Sequence, residues 1–222
     1  MMKHYYEDKY KKELTTKIKE IINEENKFYV FLEESIFYPQ GGGQKGDRGY
    51  LIVNNEKYNV INTIKNENNE SVLVLENPLD EKYLNNEVDC YLNWDFRFKQ
   101  MRLHTALHLH HIAIEQVLNK KIDHPLKSAI EEDYAYNKYD ENTFDANIIE
   151  KVNSRFQQLI ESDAQVITYP DKEKENFRWW ECLNNKIPCG GIHVDSLKEL
   201  GKLKIDLHHK KKMITIKIFL ND

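Results

Sequence analysis

A chain of 222 residues with 40% apolar side chains can bury a core and suits one large domain or two small ones. No apolar run approaches the ~18 to 20 residues of a membrane span, and no signal-peptide h-region opens the chain. Cys90, Cys182 and Cys189 are too few and too odd a set for a disulfide scaffold, so a cytoplasmic protein without a membrane partner is expected.

A net charge of −5 argues against nucleic-acid binding by the whole surface. It leaves room for local patches. Lys210–Lys212, beside His208 and His209, reads either as such a patch or as a solvated hairpin tip.

In chain order, Leu14, Thr16 and Ile18 alternate with polar partners, a turn follows at Asn23–Asn26, and Phe28–Leu32 completes a hairpin. The densest glycine cluster comes next, from Phe37 to Gly49. Short strands are expected at Tyr50–Val53, Lys57–Ile64, Ser71–Leu75 and Glu87–Leu92, a spacing that suggests a small barrel. The asparagine-rich turns between them read as compositional bias. Near Trp94 the pattern changes. Apolar residues fall at helical spacing from Phe98 to about Leu118, and again from about Thr143 to Glu161. Further strands are expected around Leu126–Ile130, Ala164–Tyr169, Lys202–Leu207 and Ile214–Leu220. The expected fold is α+β: a small β-barrel domain over residues 1–93, then a domain over 94–222 with helices packed on an antiparallel sheet.

His104 and His108 are four residues apart on the first long helix, so their rings leave one face about a turn apart, as two zinc-bound imidazoles require. His111 shares nearly the same stripe but lies about 10 Å from His104 along the axis, too far to share its metal. His110 points elsewhere, and both are expected at the surface or behind the site. Cys189 and His193, with Gly190 and Gly191 allowing a tight bend, have metal-ligand spacing too. Together the two pairs make a four-ligand set, and a thiolate with imidazoles suits zinc. Cys182 reads as a core cysteine.

Three chemistries fall away. A His-Glu-x-x-His protease needs a glutamate where Thr105 stands, a base deaminase needs a second cysteine after Pro188-Cys189, and the glycine block lacks the Gly-Lys-Ser/Thr of a P-loop.

Three blocks carry a resemblance to a known family: Phe37-Tyr-Pro-Gln-Gly-Gly-Gly-Gln44 with Asp47 and Gly49; Trp94-Asp-x-Arg-x-x-x-Met-x-x-His-Thr-Ala-x-His108; and Cys189-Gly-Gly-x-His-Val194 followed by Glu199-Leu-Gly201. The chain resembles the AlaX family, free-standing relatives of the editing domain of alanyl-tRNA synthetase. The resemblance implies that His104, His108, Cys189 and His193 bind one zinc ion and form the catalytic centre. It implies hydrolysis of the ester joining serine or glycine to the 3′ adenosine of alanine tRNA, with Gly41, Gly42 and Gly43 near the editing pocket. The second domain would be the editing domain.

Zinc would either lower the pKa of a bound water or anchor the terminal ribose and amino acid, and both need an open coordination position. Gln44 and Thr105 are candidates to place polar groups near the substrate, Thr105 reading equally as a helix-packing residue. Ile192 stands where the family usually has threonine, which bears on the preferred amino acid. The segment from His124 to Asp140 matches the family loosely. Lys127 and Ser128 there are candidates for substrate contact or for an exposed strand edge. Arg97, Lys99 and Arg102 are the expected tRNA contacts, and such contacts predict steep salt dependence. The rival readings are a zinc-stabilised RNA-binding module without hydrolase activity, and editing of a different mischarged tRNA.

Overall fold

The alternating apolar residues of the first ninety positions turn inward and close a six-stranded barrel. Residues 2–221 are described by the computed structural model. They form two compact units, one of residues up to Gly41 with Lys45–Phe98, the other of Gly42–Gln44 with the residues from Lys99 onward.

The elements of the first unit are β1 (Met2–Lys3), α1 (His4–Glu7), β2 (Glu13–Glu24), β3 (Lys27–Leu32), β4 (Glu34–Ser35), β5 (Gly49–Val53), β6 (Glu56–Lys65), β7 (Ser71–Leu75) and β8 (Glu87–Leu92). All the strands expected there are present. The barrel runs β2-β3-β7-β6-β5-β8, while β1 and β4 form a short parallel ladder. Ile18, Val30, Leu51, Val60, Leu73 and Cys90 fill the interior. Register shifts at Ile18/Glu20 and Val60/Asn62 bend the two long strands, as a small closed barrel requires.

The asparagine-rich turns are more than compositional bias. Asn26, Asn54, Asn55, Asn69 and Asn85 all have positive φ, the left-handed conformation that asparagine tolerates better than other non-glycine residues. Asn54 and Asn55 together make the tight turn between β5 and β6.

The second unit carries most of α2 (Trp94–Leu118), then β9 (Lys127–Ile130), β10 (Tyr134–Asp140), α3 (Ile149–Glu161), β11 (Ile167–Pro170), β12 (Arg178–Cys182), β13 (Asn185–Pro188), β14 (Leu203–Lys210) and β15 (Met213–Leu220). Four strands form an antiparallel sheet in the order β14-β15-β10-β9, and three form a second, β11-β12-β13. The fold is α+β, as expected. Ile214, Ile216 and Ile218 of β15 face the core, and α3 buries Val152, Phe156, Leu159 and Ile160. Lys210–Lys212 form the exposed tip of the β14–β15 hairpin.

Five strands escaped the sequence reading, the two-residue β1 and β4 of the first unit and β10, β12 and β13 of the second. In β10 the inward row is Ala135, Asn137 and Tyr139, so a buried amide interrupts the apolar alternation. Its amide is compensated: Asn137 Nδ2 donates to Leu107 O (3.2 Å) and Tyr139 Oη (3.3 Å), and Oδ1 accepts from Ser128 Oγ (2.6 Å). The β12–β13 hairpin turns at Leu183 and Asn184, both at positive φ, and a leucine there hides the turn.

A candidate metal centre and its cavity

His104 and His108 lie one turn apart on α2, and the bend after β13 brings Cys189 and His193 to them. The four ligand-type atoms all lie within 4.8 Å of one another. Cys189 Sγ is 3.4 Å from His104 Nε2 and 3.3 Å from His193 Nε2. Sulfur and nitrogen sharing a tetrahedral zinc, with bonds of about 2.3 and 2.0 Å, sit roughly 3.5 Å apart. The spacing is that of a ligand cage.

Hydrogen bonds behind the rings set which nitrogen faces inward. Ile192 N–H donates to Gln44 Oε1 at 3.1 Å, which establishes that oxygen as the amide's acceptor. His104 Nδ1, 3.0 Å from the same oxygen, therefore carries a proton and donates it, leaving the Nε2 lone pair for the cluster. Thr105 works the same way for His193. Its hydroxyl hydrogen goes to Met101 O at 3.0 Å, so Oγ1 accepts from His193 Nδ1 at 3.1 Å and Nε2 again faces the cluster. His108 Nε2 is buried with no hydrogen-bond partner, a state that a bound cation would relieve.

Electrostatics point the same way. Burial lowers His104 to about 4 and holds His108 well below the usual imidazole range, so both rings are neutral donors. Burial also pushes the Cys189 thiol up to about 11, opposed by the Gly191 N–H directed at Sγ from 3.4 Å. A cation among these donors reverses the balance and makes the thiolate the stable form. The donor set fits zinc.

Backbone approach explains two of the glycines. A Cβ on Gly191 would lie 2.1 Å from His104 Cε1, so a side chain there collides with a ligand ring. Gly43, at φ +84°, would bring a Cβ within 2.9 Å of Ser128 O, and its own carbonyl accepts from Ile130 N–H at 2.9 Å. The third motif block also has a structural task. Glu199 accepts from the backbone N–H groups of Asp195 and Ser196, both at 3.0 Å, and secures the segment just after His193.

A cavity of about 380 Å³ lies against the cluster, and its wall includes His104, His108 and Cys189. Gly42 and Gly43 line it, whereas Gly41 does not. Gln44, Thr105 and Ile192 do not line it either. The first two orient ligand rings, and the Ile192 side chain is buried, its backbone N–H holding Gln44. Ile192 thus bears on packing behind the cluster and not on the cavity wall.

Of the two places expected for His110 and His111, at the surface or behind the site, both are away from the surface, because α2 is enclosed along its middle. His110 packs on Phe156, and His111 reaches the cavity wall with its Nδ1 3.1 Å from Tyr139 Oη. Asn137, Ser128 and His124 also line the cavity. Asn137 lies on the unexpected strand β10, and the only sequence signal for it was the loosely matching segment in which it falls.

The expected tRNA contacts separate. Arg97 is fully buried and cannot reach a phosphate: its guanidinium pairs with Asp47 and donates to Ile36 O (2.6 Å) and Lys9 O (3.0 Å). Arg102 is buried too, and donates to Leu200 O at 2.7 Å. Lys99 alone of the three is accessible, 3.2 Å from Asp133. Both arginines serve the fold.

Comparison with known proteins adds the lineage of these features. A family model described as tRNA synthetases class II (A) matches residues 3–96. The alanyl-tRNA editing protein AlaX-M of Pyrococcus horikoshii is 33% identical over 211 residues, which cover 91% of this chain and 88% of that protein. AlaX-L of the same organism is 31% identical over 227 residues, 93% of this chain and 54% of its own length. The alanine–tRNA ligase of Ignicoccus hospitalis is 26% identical over 224 residues, 90% of this chain and 24% of the ligase.

Proposed function

Since the chain belongs to the AlaX family of alanyl-tRNA editing proteins, we propose that it is a hydrolase that removes wrongly attached serine or glycine from alanine tRNA. The observation that carries this reading is the convergence of His104, His108, Cys189 and His193 beside a cavity of about 380 Å³. These four residues would hold one zinc ion. When bound, zinc supplies a Lewis acid at the ester, by activating water or by anchoring the acyl-ribose end.

The chain's own groups do the rest. Gln44 and Thr105 hold two imidazoles in the tautomer that presents Nε2. Gly191 keeps the backbone close to His104 without a side chain in the way. Leu107, Ile187 and Pro188 give the cavity apolar walls that limit bulk water, while Ser128 and Asn137 add polar groups. An ester is an activated acyl group, so correct positioning supplies much of the rate.

One observation favours a second reading, a zinc-stabilised RNA-binding module. The four ligand-type residues would together supply four protein ligands to one zinc ion, the number found in structural zinc sites. A single assay separates the two. The purified protein, with its zinc content measured, is mixed with alanine tRNA charged with serine, glycine or alanine, beside Cys189→Ala. Hydrolysis of the seryl or glycyl ester, lost in the variant, is expected. Absence of hydrolysis with zinc bound and tRNA binding intact would falsify the hydrolase reading.

A further inference from the structure

The β11-β12-β13 sheet has two unlike faces. Trp180 and Cys182 are buried on one, with the Trp180 ring 5.1 Å from that of His108. On the other, cross-strand pairing sets Tyr169, Trp179 and Pro188 in one row and Ile167, Glu181 and Lys186 in the next. Ile167 is 55% exposed, Lys186 and Pro188 are exposed, and Tyr169 and Trp179 are half-exposed.

The rings on this outer face are arranged with cations. Lys186 Nζ lies 4.2 Å from the Trp179 ring centroid and 5.4 Å from that of Tyr169. Phe177 packs edge-on to Trp179 at 5.0 Å, with Lys174 over it at 5.4 Å. Asp171 and Glu181 are already engaged: Trp179 Nε1 donates to Asp171 at 2.6 Å and Tyr169 Oη to Glu181 at 2.8 Å. Neighbouring aromatic faces with lysines beside them suit the stacking of unpaired bases and the contact of their phosphates.

This face is continuous with the cavity. Pro188 belongs to the aromatic row and also lines the cavity, and the next residue is the ligand Cys189. A ligand whose end is seated in the cavity can extend past Pro188 onto this face. We propose that the outer face of β11-β12-β13 is a stacking platform for the unpaired 3′-terminal nucleotides of the tRNA whose esterified end enters the cavity. This rests on the editing reading above, and it names a part of the substrate and the residues that receive it.

The test has two arms. In the first, seryl-tRNA deacylation is followed in wild type, Trp179→Ala, Trp179→Phe and Lys186→Glu, with folding checked by circular dichroism. Base–aromatic stacking predicts a rise in KM of roughly tenfold for Trp179→Ala, with kcat unchanged, recovery in Trp179→Phe and a severalfold rise in Lys186→Glu. Lys186→Glu keeps the test valid should Trp179→Ala fail to fold. In the second arm, a single-stranded RNA trinucleotide of sequence CCA is titrated against tryptophan fluorescence, with a duplex RNA as control. Quenching by the single strand, absent in Trp179→Phe and shallow in its salt dependence, is expected.

Hydrolysis with the same KM in every variant and no quenching by the trinucleotide would overturn the platform and leave the editing reading standing. Quenching in a protein that hydrolyses none of the charged tRNAs would sustain the platform and remove the editing reading.

Discussion

Gln44 and His104, separated by 60 positions, meet through a 3.0 Å hydrogen bond that selects the ring nitrogen offered to the cluster. Replacing Gln44 by leucine strips the acceptor from both His104 Nδ1–H and Ile192 N–H. Zinc affinity should fall about 10- to 100-fold, the usual cost of losing such a partner behind a ligand. Competition with a chromophoric chelator measures this, and Gln44→Glu, which keeps an acceptor, should lose less. Equal affinity in wild type and Gln44→Leu would refute the orienting role.

Gly191→Ala should damage the centre through volume alone. The added methyl would lie 2.1 Å from His104 Cε1 and 2.4 Å from Nδ1, so ring or backbone must move. Overpacking of this kind costs about 1–3 kcal/mol. The variant should melt at lower temperature and bind less than one zinc per chain after dialysis. A variant with full metal content and an unchanged melting curve would contradict the geometry.

Arg97 and Asp47 form a buried pair with both partners almost wholly inaccessible. Truncating either leaves an uncompensated buried charge, so Arg97→Ala or Asp47→Ala should lose about 3–5 kcal/mol in urea unfolding. The salt dependence of tRNA binding should stay as in wild type, since neither group reaches solvent. A change in the salt slope with unaltered stability would restore Arg97 as a phosphate contact.

His111 makes stability pH-dependent. Burial lowers its pKa to about 4, partly opposed by Glu115 and reinforced by His124 and Lys121. The folded value is depressed below the ordinary 6.5, so the stabilising difference is intact above that pH. Between about 6.5 and 4 the unfolded chain takes up a proton that the folded chain refuses, and stability falls. The contribution at stake is up to about 3 kcal/mol. Denaturation of metal-free protein at several pH values should show this slope, and His111→Gln should reduce it, with His104, His108 and His110, likewise lowered by burial, keeping the remainder. An identical slope in the variant would assign the effect elsewhere.

Much of this was legible in the chain. Alternation or short apolar runs between turns located every barrel strand, the runs marking strands such as β7 that are buried on both faces, and four-residue spacing marked both pairs of the His/Cys cluster. Other features left no such trace. Asn137 broke the alternation of β10 because its amide is compensated by Leu107 and Tyr139, which are in contact only after folding. The stripe argument separated His110 from His111 but left both between the surface and the region behind the site, because it does not tell that the middle of the helix is enclosed. Arg97 reads as a surface cation until Asp47, 50 residues away, is set beside it. The asparagine turns reveal themselves through backbone angles that composition does not record.

The tripeptide Gly42–Gln44 belongs with the second unit while its neighbours on both sides belong to the barrel. A gene fragment beginning at Trp94 would encode all four ligand residues and still lack the amide that orients His104 and holds Ile192. Transplanting the centre onto another scaffold, or trimming the protein to the half that carries the His/Cys cluster, would therefore require an amide donated from outside the excised piece. The glycine block is a detachable part only on paper.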